Sequence, residues 1–264
     1  MIGPRVGIKG GPRVGIAAGP SADEIAAGST TAWTVDAASG KATPSSSTEW
    51  TAFIAANALS VAVPDSLWLL QEASGNPSDS IGAFPLTAAG AVTYRQALSG
   101  WTRVGVGLTD GVNSQFGTTS ASLPTGGTAS QTVLIIGNIP AAPAANRNIY
   151  EGQTGSTIRI NSTPRVVAIS GANVATGTVS PAGTTRPYVY RENFTAATST
   201  VMTDQEKLVP VHGTISGRNL RIGSSATSVA GVVGYACAWY NANAEISDAN
   251  MKSLLQAMGF AIPW

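Results

Sequence analysis

The segment from residue 66 to residue 76, SLWLLQEASGN, decides the fold class of this sequence. It begins with an apolar run at Leu67–Gln71, which has the length of a buried strand, and it continues into Ala-Ser-Gly-Asn, which is typical of a turn. The rest of the chain repeats short apolar runs and turn residues without helical segments alternating between them. This pattern predicts a mainly β, antiparallel sandwich and disfavours parallel β-α-β units.

The predicted strands alternate in polarity with period two, which buries every second side chain between two sheets. The alternating core positions that we predict are Val133, Ile135, Val166, Ala168, Val233 and Tyr235. Together with Leu67–Gln71, the predicted strands are Ala91–Arg95, Thr102–Gly107, Ser114–Thr118, Gln131–Gly137, Arg147–Glu151, Ser156–Asn161, Arg165–Ser170, Arg186–Arg191, Thr198–Thr203, Leu220–Ile222 and Gly231–Trp239.

Two short helices are predicted outside these strands. Ser46 and Glu49 have the spacing of a capping box, and the apolar periodicity that follows predicts a helix from Ser47 to about Ala58. Near the C-terminus, Ser247 is a typical N-cap residue. The helix that it begins carries one apolar face, which should pack on the sandwich and consists of Met251, Leu254, Leu255 and Met258.

The N-terminal segment contains a direct repeat, GPRVGI at Gly3–Ile8 and again at Gly11–Ile16. Because the spacing is even, an extended chain would place both Val-Gly-Ile units on one side. Two interpretations stay open, a disordered tail or an arm that adds strand-like pairing to another subunit. The contact residues of such an arm would be Arg5, Val6, Ile8, Arg13, Val14 and Ile16.

These features divide the chain into three predicted parts. Residues 1–20 form the extended arm, and residues 21–63 form a linker with one short strand at Thr31–Val35 and the first helix. Residues 64–264 form the sandwich with the second helix near its end.

The two ends of the predicted sandwich resemble laminin-G-like domains, which are concanavalin A-like jelly rolls. At the start the resemblance lies in Ser66–Asn76 and in the Asp-Ser turn at Asp79–Gly82. At the far end it lies in Gly231–Trp239, which leads through Ala244–Asp248 into a short helix. The resemblance implies a jelly-roll sandwich with a C-terminal helix.

A second resemblance concerns the N-terminal third of the chain. The stretch Val35–Lys41, followed by a helix start at Pro44–Trp50 and then by the sandwich opening, resembles accessory structural proteins of tailed bacteriophages. Those proteins often join a particle-bound arm to an exposed β domain. The resemblance implies a partner in the virion, namely the major capsid protein or another virion protein, and a homo-oligomer on the particle.

Composition limits the partners further. The 15 basic and 14 acidic side chains leave a net charge of +1, and only 11% of the residues are charged, so we expect no nucleic-acid partner. No apolar segment follows Met1, and no segment reaches membrane-spanning length. If Met1 is the natural start, we therefore expect folding in a host cytoplasm and no membrane partner. This is compatible with the location in the virion that the bacteriophage resemblance implies.

The sequence favours binding or structure over catalysis, and we predict no catalytic residues. Hydrolases of the resembled fold carry Glu-x-Asp-x-Glu on one strand, and no such strand is present. The nearest acidic pair, Asp204 and Glu206, lies in a stretch typical of a hairpin turn. The sequence has a single histidine, His212, and no Gly-x-Ser-x-Gly motif that would supply a serine nucleophile for it. The single cysteine, Cys237, lies in an apolar run typical of a buried thiol.

Two kinds of binding site remain to be considered. Many laminin-G-like domains hold calcium at one rim, and here Asp79, Asp110 and Asn113 could supply oxygen ligands, although ordinary turn chemistry is the favoured interpretation. No other cofactor is expected. Glycan binding usually requires exposed aromatic rings, for which the possible residues are Trp101, Tyr188, Tyr190 and Tyr240.

The leading hypothesis from the sequence is a non-enzymatic structural protein of a bacteriophage particle. In this hypothesis the protein decorates the capsid, the arm anchors it and the sandwich faces outward. The alternative is a carbohydrate-binding module or adhesin domain that binds a cell-surface glycan. A glycoside hydrolase is the third possibility, and any measurable cleavage of a polysaccharide would support it.

Overall fold

The structure is a computed structural model, and it describes residues 32–108, 115–118, 130–139, 146–152, 156–213, 220–223, 233–242 and 245–264. These residues belong to one compact unit, Ala32–Trp264. The unit therefore includes residues that the sequence analysis assigned to a linker. The arm residues Arg5, Val6, Ile8, Arg13, Val14 and Ile16 lie outside the described residues.

Antiparallel strands make up most of the described chain. Helix α1 spans Ser47–Ala56 and helix α2 spans Asp248–Ala257. The strands are β1 Ser66–Trp68, β2 Thr87–Ala89, β3 Val92–Ala97, β4 Val104–Leu108, β5 Gln115–Thr118, β6 Ser130–Asn138, β7 Arg147–Glu151, β8 Ser156–Ile160, β9 Val166–Ser170, β10 Asn173–Thr176, β11 Thr185–Asn193, β12 Thr198–Thr203, β13 Lys207–Leu208, β14 Leu220–Gly223 and β15 Val233–Ala242.

The strands form two sheets. The first sheet has the order β13-β12-β11-β6-β15-β4-β3, and the second has the order β10-β9-β8-β7-β14-β5-β2. In the first sheet, one edge of β15 pairs with β6, while its other edge is shared by β4 and β1. Two short strands can share this edge because β15 is ten residues long.

The main core lies between the sheets, and alternation along the strands sends every second side chain into it. Val133 and Ile135 of β6 lie in the same buried cluster as Val166 and Ala168 of β9, as predicted. The structure describes only the backbone of the predicted core residues Val233 and Tyr235. The prediction of a mainly β, antiparallel jelly-roll sandwich with a short helix near each end is confirmed.

The first sheet is buried on both faces at β6. Leu134 and Ile136, which alternate with the core residues of β6, lie in a second cluster with Trp50 and Phe53 of α1 and with Leu255 of α2. We call this second cluster the outer cluster. The helices and the segment before β1 thus cover the outer face of this sheet. Burial on both faces is the reason why every described residue of β6 is buried.

The ends of the helices agree with the sequence. The Ser46 hydroxyl accepts a hydrogen bond from the backbone N–H of Glu49 at 3.2 Å, and the Ser247 hydroxyl accepts one from Asn250 at 3.2 Å. α1 ends at Ala56, two residues before the predicted end. Instead of the predicted strand at Thr31–Val35, the described part of this segment forms a single bridge between Val35 and Ala42.

Candidate functional site

A surface depression lies at the turn between β12 and β13. We call it the hairpin pocket, and its volume is about 450 Å³. One side carries the carboxylate and amide of the turn, and the other sides are apolar. Its lining residues are Val179, Asp204, Gln205, Ala261, Ile262 and Pro263.

Hydrogen bonds within the turn that carries the polar groups fix its backbone conformation. The Thr203 hydroxyl accepts hydrogen bonds from the backbone N–H groups of Gln205 and Glu206, both at 3.1 Å. The Thr203 backbone N–H donates to the Glu206 carbonyl at 2.9 Å, which closes the hairpin turn predicted at this position. Because these backbone groups are hydrogen-bonded within the turn, the backbone that carries the side chains of Asp204 and Gln205 has a defined conformation.

The C-terminal segment forms the opposite wall. The indole Nε1 of Trp264 donates to the Thr203 carbonyl at 2.8 Å, so the end of the chain is bonded to the hairpin. The ammonium of Lys252 donates to the Trp264 carbonyl, and Ile262 is buried in the outer cluster. Both walls of the pocket are therefore attached to the first sheet.

An ion pair lies beside the turn. Nη1 of Arg186 lies 2.9 Å from Oδ1 and 3.0 Å from Oδ2 of Asp204, and both side chains are mostly buried. Burial raises the pKa of Asp204 above its ordinary value, although the guanidinium of Arg186 opposes this effect. The neighbouring Glu206 accepts a hydrogen bond from the backbone N–H of Thr178 at 2.8 Å, which ties the turn to the chain before Val179.

The second depression is smaller and more polar. We call it the Asp36 pocket; its volume is about 180 Å³, and it is lined by Thr34, Val35, Asp36, Thr43, Gln71, Thr102 and Arg103. Burial alone would raise the pKa of Asp36, but hydrogen bonds from Ser39, Arg103 and Thr102 outweigh it and lower this pKa to about 2. The Asp36 carboxylate is therefore engaged in joining the segment before α1 to the chain leading into β4.

A third polar cluster surrounds Glu192 at the end of β11. Its carboxylate is fully buried and accepts hydrogen bonds from Gln131 at 3.0 Å and from Tyr190 at 3.3 Å, while Nε2 of His212 lies 3.5 Å from Oε1. Burial raises the pKa of Glu192 to about 7. An acid, a phenol and an imidazole resemble a catalytic set, but a substrate cannot reach a fully buried carboxylate, so we interpret the cluster as internal packing.

The predicted glycan-binding aromatic residues differ in their exposure to solvent. The prediction for Tyr188 and Tyr190 is wrong, because both rings are fully buried between the sheets and cannot stack on a sugar in solvent. Trp101 is partly exposed and packs against the outer cluster. Tyr240 lies in β15, where the structure describes the backbone alone.

Asp79 organises a loop and is not arranged as a calcium ligand. Its Oδ1 accepts backbone N–H bonds from Leu67 at 3.0 Å, Ile81 at 3.0 Å and Gly82 at 2.8 Å. Three donors on one oxygen leave little room for a cation, so turn chemistry is the better interpretation. The other predicted ligands, Asp110 and Asn113, lie outside the described residues.

The described residues contain no group of three or more His, Cys, Asp or Glu side chains that could hold a metal ion. Within the same residues, neither helix has the length and apolar character needed to cross a bilayer.

Comparisons with known proteins show similarity in structure alone. No protein-family model and no curated protein matches the sequence. The fold is similar to Trypanosoma rangeli sialidase in complex with 2,3-difluorosialic acid, with a TM-score of 0.57 and 11% identity over 75% of this chain and 34% of the sialidase. It is also similar to the binding domain of botulinum neurotoxin DC in complex with SialylT, with a TM-score of 0.51 and 10% identity over 74% of this chain and 51% of that one.

A third similar structure is that of botulinum neurotoxin type C, whose cell entry is described as dependent on two ganglioside molecules. Its TM-score is 0.53, with 9% identity over 77% of this chain and 52% of the toxin chain. This chain thus spans about a third of the sialidase and about half of the toxin structures. At these identities the comparisons establish a shared β-sandwich fold.

No motif in the sequence marks Arg186 or Gln205 as a site residue. Asp204 had been considered only as one of an acidic pair, and its partner turns out to be Arg186, which lies 18 positions earlier. The C-terminal wall was likewise missed, since Ala261–Pro263 has no motif and reaches the hairpin only through folding. The polar hairpin turn itself was the one feature in the sequence that could have pointed to this pocket.

Proposed function

We propose that this chain is a non-catalytic carbohydrate-binding domain and that the hairpin pocket is its glycan site. The observation that carries the proposal is the composition of that pocket, an open depression of about 450 Å³ with apolar walls and one polar edge. Pockets of about 300 to 1,000 Å³ with a few oriented polar groups are typical of small-ligand sites. The volume is sufficient for one or two sugar rings.

The chemistry of a sugar matches the two sides of the pocket. A pyranose ring has a face of C–H groups, which can pack on Ile262, Pro263 and Val179, and an edge of hydroxyls. These hydroxyls can donate to the Asp204 carboxylate, and they can also exchange hydrogen bonds with the Gln205 amide. Because both walls are attached to the first sheet, little ordering is needed on binding.

The carboxylates near the pocket are better suited to binding than to hydrolysis. A glycosidase usually needs two carboxyl groups facing each other across the scissile bond. Here Asp204 is bonded to Arg186, and Glu206 is bonded to the backbone of Thr178. Neither arrangement leaves a pair of carboxyl groups free to act on opposite sides of a sugar.

The similar structures support the proposal without establishing it. The sialidase is in complex with a difluorosialic acid, the cell entry of botulinum neurotoxin type C depends on two ganglioside molecules, and both proteins share the sandwich fold with this chain. They favour the carbohydrate-binding alternative over the role in a bacteriophage particle. The latter stays a prediction that rests on the N-terminal repeat and the sequence resemblance.

A glycan array followed by calorimetry on the strongest ligand tests the proposal. Ala261→Trp should abolish measurable binding by filling the pocket, because Ala261 is exposed at its wall. Gln205→Ala should weaken binding several-fold, as expected for the loss of one or two hydrogen bonds of about 1 kcal/mol each.

Gln71→Ala is the matched control, since it removes an exposed amide from the Asp36 pocket and should leave the affinity unchanged. Loss of affinity in Gln71→Ala, with the other two variants unaffected, would place the site in the Asp36 pocket instead. A protein that binds no glycan would contradict the proposed function.

A further inference from the structure

The charge around the hairpin pocket is arranged differently from what an acidic sugar requires. Asp204 is the one acidic or basic side chain among the lining residues, and it is paired with Arg186. Recognition of a sugar carboxylate usually depends on an available guanidinium or ammonium group, which forms charge-assisted hydrogen bonds with it.

The nearest guanidinium is already committed. Arg186 directs Nη1 at both carboxylate oxygens of Asp204, at 2.9 and 3.0 Å. A ligand carboxylate could take Nη1 only by displacing Asp204, which would leave a mostly buried acid without its partner. Nε of the same guanidinium is buried and has no hydrogen-bond partner in the described residues. Arg186 therefore holds Asp204 in place and does not itself offer a free positive charge.

The other cations near the turn are also engaged. Lys41 is close enough to influence Asp204, but its ammonium donates to the Gly259 carbonyl and lies 5.2 Å from the centre of the Phe260 ring. Glu206 adds a second carboxylate beside the turn, and within the described residues its Oε1 is buried without a hydrogen-bond partner. Lys207 is paired with Asp248 at 2.5 Å.

We propose that the hairpin pocket selects neutral glycans and rejects glycans that present sialic or uronic acid to it. This inference rests on the proposed carbohydrate-binding function and adds the class of ligand. A ligand carboxylate in the pocket would lose hydrating water without gaining a free cation, because Nη1 of Arg186 is engaged by Asp204. An unpaired carboxylate of this kind should weaken binding by about tenfold or more. A neutral hydroxyl at the same place would donate a hydrogen bond to a carboxylate oxygen of Asp204.

The test is a glycan array on which neutral oligosaccharides, including lactose and N-acetyllactosamine, are printed beside their 3′-sialylated counterparts. We expect the protein to bind neutral members at least about tenfold more tightly than the matched acidic ones. Equal or tighter binding of the sialylated members would overturn the inference while leaving the proposed function intact. If neither set is bound, the proposed function fails together with the inference.

Two variants should change the preference in a defined direction. Gln205→Lys adds a cation at the edge of the pocket and should improve binding of the sialylated glycans about tenfold relative to the neutral ones. Asp204→Asn removes the negative charge and releases Arg186, so it should act in the same direction. An unchanged preference in both variants, with thermal unfolding showing that both are folded, would contradict the assignment of specificity to this pocket.

Gln71→Lys supplies the control for charge, because it adds the same cation at an exposed position in the Asp36 pocket. It should leave the ratio of neutral to acidic binding as it is in the unaltered protein. If Gln71→Lys changes the ratio as much as Gln205→Lys does, the selectivity reflects overall charge and not the hairpin pocket.

Discussion

At the scale of single residues, the least expected feature is the buried carboxyl group of Glu192. It lies between the sheets, and its neighbours include the Tyr190 hydroxyl and the His212 imidazole. The serine hydroxyls of Ser156 and Ser199 lie 3.4 and 3.5 Å from its oxygens. These contacts satisfy the carboxyl group, but burial still disfavours its charged form and raises its pKa to about 7.

This raised pKa predicts that stability falls as the pH rises. Glu192 has a pKa of about 7 in the folded protein and about 4.5 when unfolded, so the folded state binds the proton more tightly. The stabilisation is complete below pH 4.5 and is lost as the pH rises through 7. We expect the free energy of unfolding to decrease by about 2 to 3 kcal/mol over this range, as measured by urea denaturation.

Glu192→Gln should remove most of this pH dependence, because a neutral amide keeps the size of the acid and does not ionise in this pH range. Glu245→Gln is the control, since Glu245 is a partly exposed acid outside this cluster. A Glu192→Gln protein whose stability still falls as steeply between pH 4.5 and 8 would show that another group is responsible.

Asp79 illustrates how one side chain can determine the path of a loop. Its carboxylate joins the start of β1 to the loop that precedes β2, through the N–H groups of Leu67, Ile81 and Gly82. Phe84 donates to the second oxygen at 3.3 Å. These hydrogen bonds explain the aspartate at this turn without a metal ion.

We predict that Asp79→Ala lowers the free energy of unfolding by about 1 to 3 kcal/mol, because it leaves several backbone donors without an acceptor. Asp79→Asn retains one acceptor oxygen and should cost less. Thermal unfolding of the unaltered protein should be the same in calcium and in a chelator. A clear rise of the melting temperature with calcium would restore the metal interpretation.

At the scale of elements, helix α2 is bonded to the first sheet at its N-terminal end. Arg191 of β11 donates to the Ile246 carbonyl and to the Asp248 carboxylate, and the Thr132 hydroxyl of β6 accepts from the Ile246 N–H at 3.2 Å. The buried residues Met251, Leu254 and Leu255 then pack on the outer face of the sheet. The amphipathic pattern of the helix and these polar contacts place it in one position.

Leu255→Ala should therefore destabilise the protein by about 2 to 5 kcal/mol, the usual range for removing a fully buried leucine side chain. The measurement is the midpoint and slope of urea denaturation. Gln256→Ala, at an exposed position of the same helix, should change the stability by less than about 0.5 kcal/mol. Equal effects of the two substitutions would mean that the helix does not pack on the sheet in solution.

At the scale of the whole molecule, the described chain has three layers. The second sheet, the first sheet and the cover of helices enclose two apolar clusters, one on each side of the first sheet. The hairpin pocket lies where the first sheet meets the C-terminal part of this cover, so both walls belong to one compact unit. A pocket built in this way should keep its shape when the ligand binds.

The N-terminal repeat leads to a prediction about assembly that is independent of the pocket. If residues 1–20 are an anchoring arm, a protein that starts at Ser21 should bind a virus particle or its purified capsid subunit much more weakly than the full chain. Co-sedimentation with the particle measures this difference. Equal binding of the two proteins would contradict the anchoring hypothesis and leave the carbohydrate-binding proposal unaffected.

The sequence by itself determined most of the strand pattern, both helix caps and the apolar face of α2, because these depend on local periodicity and on hydrogen bonds within a few residues. It did not predict the short strands β2, β10 and β13. It did not distinguish the buried Tyr188 and Tyr190 from exposed aromatics, because an apolar-polar alternation is identical whichever face of a strand is covered. Only the tertiary structure decided that both faces of β6 are buried, that Arg186 meets Asp204, and that the C-terminal segment completes the pocket. Each of these depends on contacts between segments far apart in the chain, and no local pattern encodes which partners will meet.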